Sequence, residues 1–396
     1  MSVNSKISVL ALTSYYLPSY KAGGPIKTVQ NMIEQLGGCR FSVVTRDRDL
    51  GDERPFSSLK INSWEALEKA SVIYLSPENL SLQKMASLIN ASEFEVLYLN
   101  SFFDSAFSIK PLLARRLGLI RQCPVVLAPR GEFSTGALAL KPLRKKLFIK
   151  ISKLLGLHRG VVWQASSELE EQDIVRALGV RLSSICLAKD LPPRSSIGIP
   201  GKNISATDTC RLIFLSRISP MKNLDFALQV LAKVKASLVF NIYGPIEDEG
   251  YWKSCLNLIE KLPANISVNY CGSVTPDQVA DVFAGHDLFL FPTRGENYGH
   301  VIAESLSAGT PVLLSDQTPW QDLAQNDLGW DLPLDLDVFA EKIETIAVMH
   351  KCSRVEWRKK VSLNAISIIN DEKDVSDNYD LFNFAVESFK RAKGRI

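Results

Sequence analysis

Several familiar signatures are missing from this chain. No apolar run approaches the ~20 residues that a membrane helix requires. The apolar stretch Ile7–Leu12 is too short for the core of a secretion signal and has no small-residue cleavage site after it, so it reads as a first buried strand. The 7 cysteines are scattered and none forms a C-x-x-C pair, which argues against a zinc ribbon and against a disulfide framework. No G-x-G-x-x-G string occurs, which counts against a nicotinamide-dependent enzyme. Internal repeats and low-complexity tracts are absent too. Only 4 histidines occur (His158, His286, His300, His350).

What is present describes a globular protein of two domains. The 396 residues are 46% hydrophobic and 22% charged. Residues 1–200 carry 26 Lys and Arg against 17 Asp and Glu, a balance of +9, and residues 201–396 carry 20 against 26, or −6, which together make the net +3. Two halves of opposite sign suggest different partners, and drift between two domains explains the asymmetry nearly as well. Nothing points to nucleic acid as a partner. Both halves alternate apolar strands with helical patterns, which predicts a parallel α/β sheet in each. Strands are expected near 7–13, 41–45, 72–75, 96–99, 125–128 and 161–164, then 212–216, 238–243, 267–270, 288–291 and 311–314. Helical periodicity appears in 224–234, 250–262, 278–283 and 338–349. The Pro-, Gly- and Ser-rich segment at about 192–206 reads as the linker. Domains are thus placed at 1–192 and 206–375, with 376–396 as a final amphipathic helix.

The most informative string is FLFPTRGENYGHVIAESLSAGTPVLL, residues 289–314. An apolar run enters a polar loop, a helical pattern over 297–308 follows, and a second apolar run closes the unit. The loop feeds a helix N-terminus, where backbone N–H groups and the helix dipole favour an anion. Glu296 stands just before that helix and Glu304 about two turns into it. Carboxylates are poor ligands for phosphate but good acceptors for paired hydroxyls. A ligand with phosphate in its middle and hydroxyls at both ends is a nucleotide-sugar.

This string, ENYGHVIAE followed by GTPV, resembles the signature of the retaining glycosyltransferases of family 4. The resemblance implies the GT-B fold: two Rossmann-like doubly wound parallel-sheet domains facing a cleft, with the last helix crossing back onto the first domain. It implies that Glu296 binds the donor sugar and Glu304 the ribose, with Asn297, Tyr298, Gly299 and His300 around the phosphates. His300 is equally readable as a buried structural residue. In LSRISPMKNLDF, a strand runs into Arg217 and a loop into Lys222, at the end of a parallel strand where α/β sheets bind ligands. Family members clamp the donor pyrophosphate with an Arg and a Lys here, a role that falls on Arg217 and Lys222. Asn223 or Asp225 is expected to cap the next helix. Gly244, in the Tyr-Gly-Pro turn, is expected to border the nucleotide base. The loop with Gly23 and Gly24 corresponds to one beside the donor phosphates and the acceptor.

One family feature is missing. Relatives place a histidine after the fourth or fifth strand of the first domain, yet neither LYLNSFFD nor LAPRGEF holds one. Arg130 or Glu132 is the candidate substitute, as an acceptor- or donor-binding residue or else as part of a structural salt bridge. Asp281 and Asp287 read as helix-surface and capping residues. The strings Asp47-Arg48-Asp49 and Asp335-Leu336-Asp337 read as loop residues, and no metal or other cofactor is expected beyond a UDP- or GDP-sugar donor. Lys141–Lys153 forms a basic amphipathic pattern that suits either an anionic membrane surface, a lipid-linked acceptor or a solvated face.

The resulting expectation is a metal-independent hexosyltransferase acting on a saccharide or lipid-linked acceptor. Its setting would be bacterial surface-polysaccharide assembly (lipopolysaccharide, capsule or exopolysaccharide), in the cytoplasm or at the inner face of the plasma membrane. The alternatives are a nucleotide-sugar epimerase of the same fold and a catalytically silent scaffold.

Overall fold

The computed structural model describes residues 6–139, 142–193, 208–369 and 371–394. Most of the linker expected at 192–206 lies outside the described residues, as does Lys141. The chain divides into two compact units, one made of Met1–Leu191 with Glu372–Ile396 and the other of Pro192–Asp371.

Among the described residues the first unit is built on eight strands: β1 Ile7–Thr13, β2 Cys39–Arg46, β3 Trp64–Leu67, β4 Ala70–Leu75, β5 Val96–Asn100, β6 Val125–Ala128, β7 Val161–Ala165 and β8 Ile185–Leu187. They lie in the order β3-β4-β2-β1-β5-β6-β7-β8, and all pairs except β3 with β4 are parallel. The central strands are buried throughout because helices cover both faces, which is why they read as continuous apolar runs. Alternate residues feed two cores. Leu10, Leu12, Leu97, Leu99 and Leu127 point to one face, covered by α2 (Leu82–Ala91), α3 (Lys110–Arg116), α5 (Pro142–Leu154) and α6 (Glu168–Leu178). Val9, Ala11, Val96, Tyr98 and Val126 point to the other, where α1 (Gly24–Gln35) packs with the last helix, α13 (Glu372–Lys393), through Leu381, Phe382 and Ala385. Short α4 (Thr135–Ala139) precedes α5.

Among the described residues the second unit has six strands: β9 Cys210–Leu215, β10 Leu238–Tyr243, β11 Ile266–Gly272, β12 Leu288–Phe291, β13 Val312–Ser315 and β14 Gly329–Leu332. Their order is β11-β10-β9-β12-β13-β14, parallel throughout. Helices α7 (Leu224–Leu231), α8 (Glu249–Ile259), α9 (Val279–Ala284), α10 (His300–Ser307), α11 (Leu336–Ala347) and α12 (Lys351–Ile369) complete it. The two-domain parallel α/β expectation therefore holds. Each sheet reverses its winding beside its first strand, between β1 and β5 in one unit and between β9 and β12 in the other. Ligands bind open α/β sheets at the carboxyl ends of the strands that flank such a point.

Candidate functional site

In the second unit the switch point is framed by two loops, 216–223 after β9 and 292–299 after β12. Polar side chains tie them together. The buried Asn223 donates to Pro292 O at 2.8 Å and accepts from Arg294 Nε at 2.9 Å. Thr293 Oγ1 donates to Met221 O at 3.1 Å, and the Arg294 N–H donates to the same carbonyl at 2.9 Å. Neither Asn223 nor Asp225 caps α7 as expected: Asn223 sits at the cap position with left-handed backbone and its side chain turned to the other loop. Asp225 instead pairs with the Tyr251 hydroxyl and with Arg294, 3.4 Å away.

The lacing brings the predicted charges together. Lys222 Nζ lies 2.6 Å from Glu296 Oε2, with both side chains mostly buried and the ammonium 5.4 Å from the Phe291 ring centroid. Arg217 lies 2.6 Å from Glu247, a more exposed pair. The Glu296 N–H donates to Gln317 O at 3.2 Å, and Trp320 Nε1 donates to Tyr298 O at 2.5 Å, so the backbone before α10 is pinned from the loop after β13.

The helix itself starts later than the sequence suggested, at His300 rather than 297. Gly299 has a φ of 84°, which interrupts helical backbone, and a Cβ there would come within 2.6 Å of Ile302 Cδ1 and 3.1 Å of Glu296 Cγ. The first helical bonds run from Ile302 and Ala303 to Gly299 O. Glu304 is consequently one turn into α10 rather than two, and is half-buried. Glu296, Asn297 and Tyr298 are half-buried, while Gly299 and His300 are buried, the His300 ring lying 4.8 Å from that of Tyr298.

Gly244 has a structural reason to be glycine. Its φ is 133°, and a Cβ would fall 1.9 Å from Ser216 O, so any side chain would push away the loop bearing Arg217. Next to it, at the ends of β10 and β11, lies a cavity of about 490 Å³ lined by Tyr243, Cys271, Ser273, Val274, Gln278 and Asp281 among others. Burial, aided by a hydrogen bond with Cys271, pushes the Tyr243 hydroxyl up to about 12.

The remaining candidates belong to the first unit. Gly23 precedes α1 with a φ of 70°, and Gly24 opens that helix. Asp49 braces the loop by accepting from the Tyr20 and Lys21 N–H groups at 3.0 and 3.3 Å. Arg130 is buried in an ion pair with Asp190; it also donates to Asn100 Oδ1 at 2.7 Å and to the Tyr98 hydroxyl. Glu132 accepts from the N–H groups of Phe102 and Phe103, at 2.5 and 3.1 Å, and from Ser101 Oγ at 2.8 Å. Burial raises its carboxyl above the usual range in spite of these bonds. Of the two readings open for Arg130 and Glu132, the geometry gives both residues internal partners.

Asp287 is a correction. It is neither on a helix surface nor a helix cap but buried: it accepts from the Arg211 N–H at 2.9 Å and pairs with the buried Arg354 at 3.3 Å. Asp335 caps α11, accepting from the Asp337 and Val338 N–H groups at 2.9 and 3.1 Å. Among the described residues no group of three or more His, Cys, Asp or Glu is placed to hold a metal ion. Sequence reasoning missed Glu247, Thr293, Arg294 and Gln317. Only the turn-rich character of their loops marked them, because the partner of each is remote in the chain.

Residues 199–346 match the family model of Glycosyl transferases group 1. The matched stretch lies within the second unit and spans less than half of the chain. The chain is 23% identical over 201 residues to an uncharacterised glycosyltransferase of Methanocaldococcus jannaschii, covering 49% of this chain and 46% of that protein. It is 23% identical over 332 residues to the alpha-monoglucosyldiacylglycerol synthase of Streptococcus pneumoniae, covering 76% and 69%. It spans less than two thirds of the length of the first curated relatives it matches, 46%, 21% and 61%. Among solved structures, sucrose-phosphate synthase of Thermosynechococcus elongatus superposes with a TM-score of 0.73 at 15% identity, over 95% of this chain and 98% of that one. Anabaena HepE, in complex with UDP and glucose, superposes with a TM-score of 0.63 at 18% identity, over 98% and 100%. The fold is that of the GT-B glycosyltransferases.

Proposed function

We propose that this chain transfers a sugar, with retention, from a UDP- or GDP-sugar to a hydroxyl of a saccharide or lipid-linked saccharide. The observation that carries the reading is the Lys222–Glu296 pair at 2.6 Å, at the switch point and just before the N-terminus of α10. Cation and carboxylate hold each other where a phosphosugar would separate them. The phosphate takes Lys222 and the start of α10, and the sugar hydroxyls take Glu296. Arg217 leaves Glu247 for the pyrophosphate in the same way. Charge grows on the pyrophosphate as the anomeric bond breaks, and these fixed cations and N–H groups stabilise it as it develops. Glu304 receives the ribose hydroxyls, and the cavity beside Gly244 receives the base.

In this reading the two cations and the helix end take the role a metal ion plays elsewhere, so a chelator leaves the rate nearly intact. HepE was solved with UDP and glucose, and WaaG, another structure of this fold, is described as acting in lipopolysaccharide biosynthesis. The first supports a UDP-sugar donor and the second a place in surface-glycan assembly, which this reading sets on the cytoplasmic side. The test is steady-state kinetics with sugar nucleotides. Arg217→Ala and Lys222→Ala should each lower kcat/KM by ~10²–10³, the scale of one preorganised charge contact. Unchanged kinetics in both variants would remove the clamp from the reading, and turnover of the donor to its epimer without acceptor would replace transfer by epimerisation.

A further inference from the structure

The strongest charge concentration in the chain lies away from this site. Residues 105–167 hold 12 Lys and Arg against one acid, Glu132, a balance of +11 in a chain of net +3, leaving −8 for the rest. Glu132 is itself occupied by the Phe102 and Phe103 N–H groups. Most of the cations sit on α5 or beside its C-terminal end.

Helix α5 has two apolar faces. Phe148 and Ile149 pack inward on the first unit's core. On the opposite side Leu143, Leu147, Ile151 and Leu154, at spacings of four, four and three, make a second stripe that is 84, 59, 44 and 87% exposed. At 100° per residue, Lys146, Lys150 and Lys153 flank one edge of that stripe and Arg144 the other. Among the described residues none of these four forms an ion pair with a carboxylate. Lys145 differs: it turns inward, donating to Ala137 O at 2.7 Å and lying 5.1 Å from the Phe103 ring centroid. The patch continues onto the end of α3, where Arg116 Nε donates to Leu155 O at 2.9 Å and Arg115 to Arg159 O at 2.8 Å. Leu155, Leu117 and Leu119 are exposed there.

We propose that this face docks on an anionic membrane surface, with α5 in the interfacial plane, its leucine stripe among the acyl chains and its lysines on the lipid phosphates. A polyanion alone would leave the leucines in water, and an apolar protein groove would leave the cations unpaired. Only an interface with hydrocarbon beneath and negative charge beside it satisfies both. Vesicle binding is read without catalysis, so its failure leaves the transferase reading untouched.

The test is flotation of the full chain with vesicles of phosphatidylcholine mixed with phosphatidylglycerol, and with phosphatidylcholine alone. The anionic vesicles should capture it, less so as salt rises. Replacing Lys146, Lys150 and Lys153 by Gln should weaken capture about a hundredfold, from about fivefold per charge. Leu147→Ser with Leu154→Ser should weaken it at least about tenfold. Circular dichroism should show both variants folded, since every position is exposed. Absence of binding to anionic vesicles at low salt would overturn the proposal. So would binding indifferent to the leucine substitutions, which marks a purely ionic attraction of the kind an acidic protein also offers.

Discussion

The two switch points of this protein share a topology and use their charges in opposite ways. Beside β1 and β5, Arg130 and Asp190 are buried and paired. Asn100 and the Tyr98 hydroxyl take further guanidinium bonds, and Thr28 Oγ1 donates to Asp190 at 3.1 Å. Beside β9 and β12, Lys222–Glu296 and Arg217–Glu247 are partly open pairs whose charged ends make few other bonds among the described residues. A pair buried in a satisfied network is part of the scaffold, because separating it strands a charge in a poor dielectric. A pair near water with replaceable partners is one a ligand can open. The difference teaches where to seek chemistry in a doubly wound protein: at the switch point whose charges are incompletely committed.

The sharpest way to break this comparison is to remove one member of the committed pair. Asp190→Ala leaves the Arg130 guanidinium buried without its counter-charge and should cost about 3–5 kcal/mol of stability. Urea unfolding measures it. A loss below about 1 kcal/mol would mean that the first unit's network is as replaceable as the second's, and Arg130 would again be a candidate for ligand binding.

The second unit's candidate site was legible in the sequence as a cluster of residues because it is local. Strand, loop, helix and strand follow one another within residues 289–314, and β9 delivers Arg217 and Lys222 in the same way. What was not legible depends on remote partners. Glu247 meets Arg217 across the ends of neighbouring strands, and Thr293 finds Met221 across the switch point. Asp287 reads as a helix-surface or capping residue in the sequence because its partner, Arg354, lies on α12, a helix with no apolar periodicity to announce it. That helix buries Arg354 and Arg358, and Arg358 donates to Gly309 O at 3.2 Å and Ala284 O at 2.6 Å. Strands β3, β8 and β14 escaped because three- and four-residue edge strands carry too few residues for a period to show.

Two histidines sharpen the contrast on the stability side. His158 lies between the Phe102 and Trp163 rings, at 5.1 and 5.5 Å, and His286 is buried against Val282 O and Asn241. Burial lowers both from 6.5 to about 4. Between those values the unfolded chain binds protons that the folded protein refuses. Their contribution is therefore whole above pH 6.5 and falls as the pH drops towards 4, by roughly 1 kcal/mol per pH unit each. Glu132 and Glu170, whose carboxyls burial raises, act in the other direction in the acid part of this range. The measurement is thus a difference: His158→Phe, which completes the aromatic cluster, should flatten the pH dependence of unfolding relative to the parent. Parallel curves would mean that His158 is protonated in the folded state.

The smallest expected effect tests whether the second unit's charges are exchangeable. Glu247 is among the more exposed partners, and an exposed pair is worth about 0–1 kcal/mol, so Glu247→Gln should leave the unfolding midpoint almost unmoved. Its consequence should show in binding. With Glu247 neutral, Arg217 is no longer held by a competing carboxylate, and the affinity for a nucleoside diphosphate measured by calorimetry should rise by a few-fold. Glu296→Gln would not serve here, because that carboxylate is assigned to the sugar as well as to Lys222. Should Glu247→Gln instead weaken nucleotide binding, the Arg217–Glu247 pair is a fixed brace that positions the arginine, and the second switch point would be committed in the same manner as the first.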